Sequence, residues 1–264
     1  MKIFNRFYED YLMPSRLTEY DGILQAALSC GYEVHSVIGF GKILSEEELN
    51  PKKKYLILRH DIDTDVNTAK EIFSIERKYG DAIAASYYFR LSTMDYPFMR
   101  EIDQFGSEAS YHFEEIAIYA KKKQIHDLQV IYSKLGDIQA LFLENYFSIQ
   151  EKTGLPMKTV ASHGDFLNRR LAITNSNLIT SEIREKTGIM FETYDPKYMN
   201  NITARIADSS YPRLYNPYPV MDAILNNEKV VYFLTHPRHW RASPVSNTKE
   251  NLKRLWEGIR YSIF

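Results

Sequence analysis

The sequence predicts an α/β fold: one domain, residues 1–264, of about seven parallel β/α units curled into a closed or nearly closed barrel. Three observations carry this. Apolar runs of strand length alternate with amphipathic stretches of helix length along the whole chain. Two of the runs, 55–58 and 230–234, are apolar without alternation, as in strands covered on both faces. Polar residues crowd directly after these runs, where β/α folds place their sites. No linker, low-complexity run or composition shift marks a domain boundary.

Taken in order, residues 1–20 read as an irregular or short helical lead. Residues 20–28 predict a helix stopped by Gly31. Residues 32–40 predict a first strand ended by Gly39-Phe40-Gly41, and 45–48 a helix start. The central strand covers 54–63. Residues 68–79 repeat apolar side chains at helical spacing up to Gly80. A strand follows over 82–91, then a short helix over 97–105 before Gly106. Residues 108–115 form a strand with a polar end, and 121–152 a long helical pattern that Gly136 could divide. Residues 159–165 run from strand into loop, and 176–186 are helical. Glu185-Lys186-Thr187-Gly188 repeats Glu151-Lys152-Thr153-Gly154, each just before an expected strand. Further strands are expected at 189–194 and 202–208, followed by a loop with Pro212, Pro217 and Pro219. A short helix at 221–225, a strand at 230–236 and a closing amphipathic helix at 249–263 complete the chain.

The totals exclude several classes. A 44% hydrophobic content is ample for a core, and a formal net charge of −1 leaves no nucleic-acid footprint. One cysteine, Cys30, excludes an intrachain disulfide framework and suits a reducing compartment. The start is interrupted by charges, with no signal-peptide core, and no stretch reaches the length of a membrane span. A soluble cytoplasmic protein is the expectation. The lysine runs 52–54 and 121–123 read as solvated faces. The sequence does not specify an oligomeric state.

The chemistry gathers at strand ends. Asp61 and Asp63 alternate with Ile62, so an extended backbone points both carboxylates to one side, where a bound cation relieves their repulsion. One of Asp63, Thr64 and Asp65 is expected to cap the next helix. Of seven histidines, His60, His112, His163, His236 and His239 fall at or just beyond strand ends, while His35 and His126 read as structural or surface residues. Imidazole and carboxylate together suit a divalent transition metal, zinc first, with cobalt, nickel or manganese as alternatives, and an open position for water. Such a metal lowers the pKa of bound water and polarises a carbonyl.

Five segments in order, Leu58-Arg59-His60-Asp61-Ile62-Asp63, Gly106 to Glu114, Ser162-His163-Gly164, Ala207-Asp208 and Leu234 to Trp240, resemble the polysaccharide deacetylase family (NodB-like, carbohydrate esterase family 4), in particular its bacterial surface-glycan branch. The resemblance implies a distorted (β/α)7 TIM-like barrel that removes an acetyl group from an N-acetylated sugar or surface-polysaccharide precursor. It implies Asp61 as general base, Asp63 as metal ligand, His112 as a further ligand and His236 as general acid. The family's second metal histidine falls on Ile116, so the site must recruit His163, Glu114 or another group, and His163 is taken as the candidate. The family's base-orienting arginine is absent from 162–165, leaving Arg59 or Arg90 to substitute. Tyr111, Asp208 and Trp240 are the candidate substrate-binding residues, although a tryptophan after a strand end also packs against a neighbouring helix. Two rival readings remain: a degenerate relative that binds glycans or partner proteins, and another metal-dependent barrel hydrolase or isomerase.

Overall fold

The computed structural model describes residues 2–46, 49–208 and 218–263; Pro212 and Pro217 of the expected loop, and Glu47 and Glu48, lie outside the described residues. Among these residues eight strands form one sheet: β1 (Tyr32–His35), β2 (Lys54–Ile62), β3 (Ser86–Phe89), β4 (Glu108–Phe113), β5 (Thr159–Ser162), β6 (Phe191–Glu192), β7 (Ala204–Ala207) and β8 (Val230–Thr235). Every pairing is parallel, in the order β6-β5-β4-β3-β2-β8-β7, with β1 beside the first half of β2. The sheet is thus a curled, open relative of a (β/α)7 barrel, with β6 and β7 as its edges.

β2 is the centre. It pairs with β8 along Tyr55–His60, with β1 through Lys54–Ile57 and with β3 through Arg59–Ile62. Its alternation divides two cores. Tyr55 and Ile57 face the concave side with Tyr88, Ala161, Phe191 and Tyr232. Leu56, Leu58 and Ile62 pack on the helix layer with Ile72, Phe73, Tyr87 and Phe233. β3, β4 and β8 are buried throughout, which is why their sequences carry apolar runs instead of alternation.

The first predicted strand is shorter than residues 32–40. After His35 the chain turns into the helix Val37–Glu46, where Ser36 Oγ accepts from Gly39 N at 3.1 Å. Phe40 of this helix packs on Tyr55 and Tyr198, and Gly41 lets it approach Phe191 so closely that a Cβ would stand 2.6 Å from that ring. The helix plugs the concave side of the open sheet, and Gly39 and Gly41, which in sequence suggest a strand end, hide the helical spacing of Val37 and Phe40.

The long pattern 121–152 is also divided differently. Glu115–Lys123 ends at Gln124 (φ 53°), and Leu128–Ser133 and Leu135–Thr153 meet at Lys134, with Gly136 inside the latter. The repeated Glu-Lys-Thr-Gly is a helix ending used twice. Gly154 (φ 75°) and Gly188 (φ 72°) are left-handed stops. Thr153 and Thr187 donate to the carbonyls four residues back at 2.8 and 2.7 Å. Among the helix-start candidates it is Asp65 that caps, accepting from Thr68 N at 3.1 Å.

Candidate metal centre and acid–base pair

The site lies at the carboxyl ends of β2, β4, β5, β7 and β8, in a cleft of about 640 Å³ whose wall includes Asp61, Asp63, His112, His163 and His236. Parallel strands bring these ends together: Asp61 and His112 are the next-to-last residues of β2 and β4, and Asp63, His163, Asp208 and His236 directly follow β2, β5, β7 and β8.

Arg59 and Asp61 share the concave face of β2, and Asp63, just past its end, faces the same cleft. Arg59 grips Asp61 with two bonds, Nε–Oδ1 and Nη2–Oδ2, both 2.7 Å, and its Nη1 donates to Tyr232 Oη at 3.1 Å. Its guanidinium lies between the rings of Tyr88 and Tyr194, 5.5 and 4.9 Å from their centroids. Burial pushes Asp61 up, but the Arg59 guanidinium, with the neighbouring His112, outweighs it and holds the carboxyl below its ordinary value. Asp61 therefore stays ionised near neutrality, fixed in orientation by a fork that cannot lose its charge.

Asp63, His112 and His163 form the second group. His112 Nδ1 donates to Ala161 O at 2.9 Å. A carbonyl only accepts, so the lone pair of neutral His112 resides on Nε2. That atom lies 3.4 Å from Asp63 Oδ1, 3.4 Å from Asp61 Oδ2 and 3.2 Å from His163 Nδ1, and His163 Nδ1 stands 3.2 Å from Asp63 Oδ1. Asp63 Oδ1 is buried, yet accepts no well-formed hydrogen bond. Three ligand atoms converge on one point; a single proton there can satisfy only one contact, whereas a cation satisfies all three. Burial raises Asp63, and the opposing His163 and His112 more than reverse this, holding it well below its usual range. Two imidazoles and a carboxylate are a donor set suited to zinc with a position left open. The residues fit a divalent metal.

His163 occupies the place that Ile116 cannot. Ile116 is buried in the helix-layer core, while His163 continues the β5 ladder by donating from N to Phe113 O at 2.8 Å. Glu114, the other candidate ligand, is engaged by Arg90 through Nε–Oε1 and Nη2–Oε2, both 2.9 Å, and stays 4.0 Å from His163 Nε2. Arg90 also donates to Asp63 O at 3.3 Å, so this pair buttresses the loop after β2.

Across the cleft, Asp208 holds His236: Oδ1 accepts from Nδ1 at 2.7 Å, and Oδ2 from the His236 backbone at 2.5 Å and Thr235 Oγ1 at 3.0 Å. His239 Nδ1 lies 3.1 Å from the same oxygen. Burial raises Asp208, but the two histidines keep it far below the usual carboxylate range. Burial lowers His236, and the Asp208 carboxylate, aided by Asp63 and Asp61, overrides it and lifts the imidazole to about 9. Protonated His236 with Nδ1–H on Asp208 leaves Nε2–H as its remaining donor.

Three expected substrate contacts need correction. Asp208 is buried beneath the histidines, where its carboxylate is taken up by His236 and His239. Tyr111 is buried against Phe142 and Phe113 with its hydroxyl donating to Glu115, on the helix side of β4. Trp240 is buried against Tyr20 and Phe233, and its Nε1 donates to Thr235 Oγ1, which itself supports Asp208. Neither ring stacks at the cleft. His60 likewise points away: with Tyr20, Glu76 and Tyr87 it forms a buried network, His60 Nε2 to Glu76 Oε1 at 2.7 Å. The sequence reading missed the wall built by Arg6, Glu9, Asp10, Arg238 and Arg254. There Asp10 accepts from Arg238 at 2.6 Å and from Asn251 at 2.8 Å, and burial beside Asp10 pushes Glu9 up to about 7. No motif signals such a wall, because its parts come from opposite ends of the chain.

No family model matches the chain, and no curated protein matches it. Among solved structures, the Xyl-CE4 domain of a multidomain xylanase from the hindgut metagenome of Trinervitermes trinervoides aligns over 80% of this chain and 85% of that one, at 14% identity and a TM-score of 0.34. So loose a likeness says nothing of the site, whose reading rests on its own geometry.

Proposed function

We propose that this protein is a metal-dependent deacetylase that hydrolyses the acetamide of an N-acetylated sugar or surface-polysaccharide precursor. The observation that carries the reading is the meeting, in one cleft, of an arginine-clamped carboxylate, a convergent Asp-His-His set and a carboxylate-backed histidine.

Asp63, His112 and His163 would hold the metal. When bound there, a divalent cation lowers the pKa of water and polarises a carbonyl oxygen. Asp61, ionised and held by Arg59, accepts the proton of the attacking water. His236, protonated and held by Asp208, gives a proton to the departing amine nitrogen. The cationic His236 and the guanidinium behind Asp61 also balance the charge that develops as the carbonyl is attacked. Separating the two roles takes two environments, and these carboxylate–cation pairs supply them: Arg59 favours the proton-accepting form of Asp61, and Asp208 the proton-donating form of His236.

Metal content by elemental analysis tests the reading. Wild type should carry one equivalent, and Asp63→Ala, His112→Ala and His163→Ala should each lose it. Asp61→Asn should keep it while turnover of acetylated sugars falls by about 10²–10⁴-fold. Protein that takes up no zinc, cobalt or nickel would sink the hydrolytic reading and leave a glycan- or partner-binding protein.

A further inference from the structure

The last helix, Pro244–Ile263, is amphipathic with its polar side turned inward. Asn247 is buried and donates to Asp10 O at 2.9 Å; Glu250 accepts from Arg254 at 2.7 Å; Glu257 accepts from Lys121 at 2.7 Å. The outer side carries Val245, Leu252, Leu255, Trp256 and Ile259, which are 44% to 82% exposed. Positions 245, 252 and 259 lie seven residues apart, with 255 and 256 on the turn between, so the five form one stripe. Beside it, the turns of residues 2–12 add exposed Phe4, Phe7 and Leu12, and are tied to the helix by Arg6 Nη2 on Asn251 Oδ1 at 2.5 Å. Single exposed apolar residues are ordinary, but a continuous stripe of this kind marks an interaction surface.

The charges decide its partner. Among the exposed residues of this helix the charged ones are Lys249, Lys253 and Arg260, all cations; of its two acids, Glu250 is buried, and Glu257, half-buried at the edge of the groove, is held by Lys121 and Lys253. Lys122, also exposed, lines the groove next to Trp256 and Arg260. A two-fold pairing of this face with a second copy would bring like patches together, cation against cation. No described helix is long and apolar enough to cross a membrane. Apolar and tryptophan side chains flanked by lysine and arginine are the composition of a helix that lies in a membrane interface. We infer that this helix face docks on an anionic lipid bilayer, the stripe entering the headgroup layer and the cations meeting lipid phosphates. The inference goes beyond the deacetylase reading and does not depend on it.

Co-sedimentation of the full chain with phosphatidylcholine vesicles, with and without phosphatidylserine, tests this. The protein should bind the anionic vesicles and release as salt is raised. Binding should shift tryptophan emission to the blue through Trp256, because Trp240 is already buried. The double variant Leu252→Ser, Trp256→Ser, both positions exposed and its fold checked by circular dichroism, should bind at least about 10-fold more weakly. Failure to bind, equal binding to neutral vesicles, or full binding by the double variant would overturn the inference. So would a concentration-dependent dimer that the same substitutions dissolve, which would give the stripe to a second copy.

Discussion

His236 is the residue on which the proposed chemistry turns at its alkaline side. Its folded pKa of about 9 lies above the ordinary 6.5 because the Asp208 carboxylate outweighs burial. Raised in this way, the imidazole is protonated and able to donate at neutral pH, and loses that ability as pH rises through about 9. Asp208→Asn removes the largest raising influence while keeping the shape, so burial then dominates and His236 should titrate at least about one unit lower. An NMR pH titration of the His236 ring in the metal-free protein measures this without any substrate; a wild-type midpoint near 6.5 would show that the pair does not act as described. At this scale the sequence was partly legible. Asp61, Asp63, His112, His163 and His236 all meet at the cleft, because the last concave-facing residue of a parallel strand and the residue directly after the strand open on the same end of the sheet. Arg59 was open to the same reasoning, since the two-residue alternation that pairs Asp61 with Asp63 also pairs Asp61 with Arg59. Tyr111 and His60 fail for that reason too: alternation sends them to the helix side. His239 carried no signal beyond its distance from a strand end.

Among the elements, the buried strands were the most legible and the two inverted or disguised helices the least. Residues 55–58 and 230–234 announce themselves because a strand covered on both faces has no polar side to show. The segment 32–46 does not, since Gly39 and Gly41 obscure the helical spacing of Val37 and Phe40. Periodicity in 249–263 establishes that one side is apolar, but nothing local says which side faces in; that is settled by Asp10, Arg90 and Lys121, far away in sequence. The glycines give a test of the helix plug. Gly41→Ala would set a Cβ 2.6 Å from the Phe191 ring, and should destabilise by about 1–3 kcal/mol despite the better helix propensity of alanine. Gly22→Ala, in the helix Leu17–Ser29 with nothing within 4 Å of the new Cβ, should stabilise by about 0.5–1 kcal/mol. Urea midpoints of the two variants therefore should move in opposite directions. Equal shifts would mean that Val37–Glu46 does not press on Phe191.

At the scale of the whole molecule, burying so many charges makes folding strongly pH-dependent, and the direction follows from the individual groups. Asp10, Asp61, Asp63, Asp165 and Asp208 all have pKa values held below the ordinary 3.8 by cationic or hydrogen-bonding partners. Their stabilisation is present above that value and is lost as pH falls through the lower folded values. Glu115 and Glu9 are the reverse: burial lifts them from 4.5 to about 6 and about 7, so the stability they give in acid is lost as pH rises through those values. His236 adds a contribution that is complete below 6.5 and disappears as pH rises through about 9. His35, pulled down by burial, works against this trend, but it is a single surface-edge group. The metal-free protein should therefore be most stable near about pH 5 and weaken steadily toward pH 9. Urea midpoints across that range check the trend, and Glu115→Gln isolates one cause. Glu115 sits under the hydroxyl of Tyr111 and the amide of Asn145 with its other oxygen unpartnered, so the amide removes a buried charge and should flatten the curve between pH 5 and 7. A midpoint that climbs from pH 5 to pH 8 in wild type would mean that the buried glutamates are ionised at no cost, and that the interior around the helix Glu115–Lys123 is open to water.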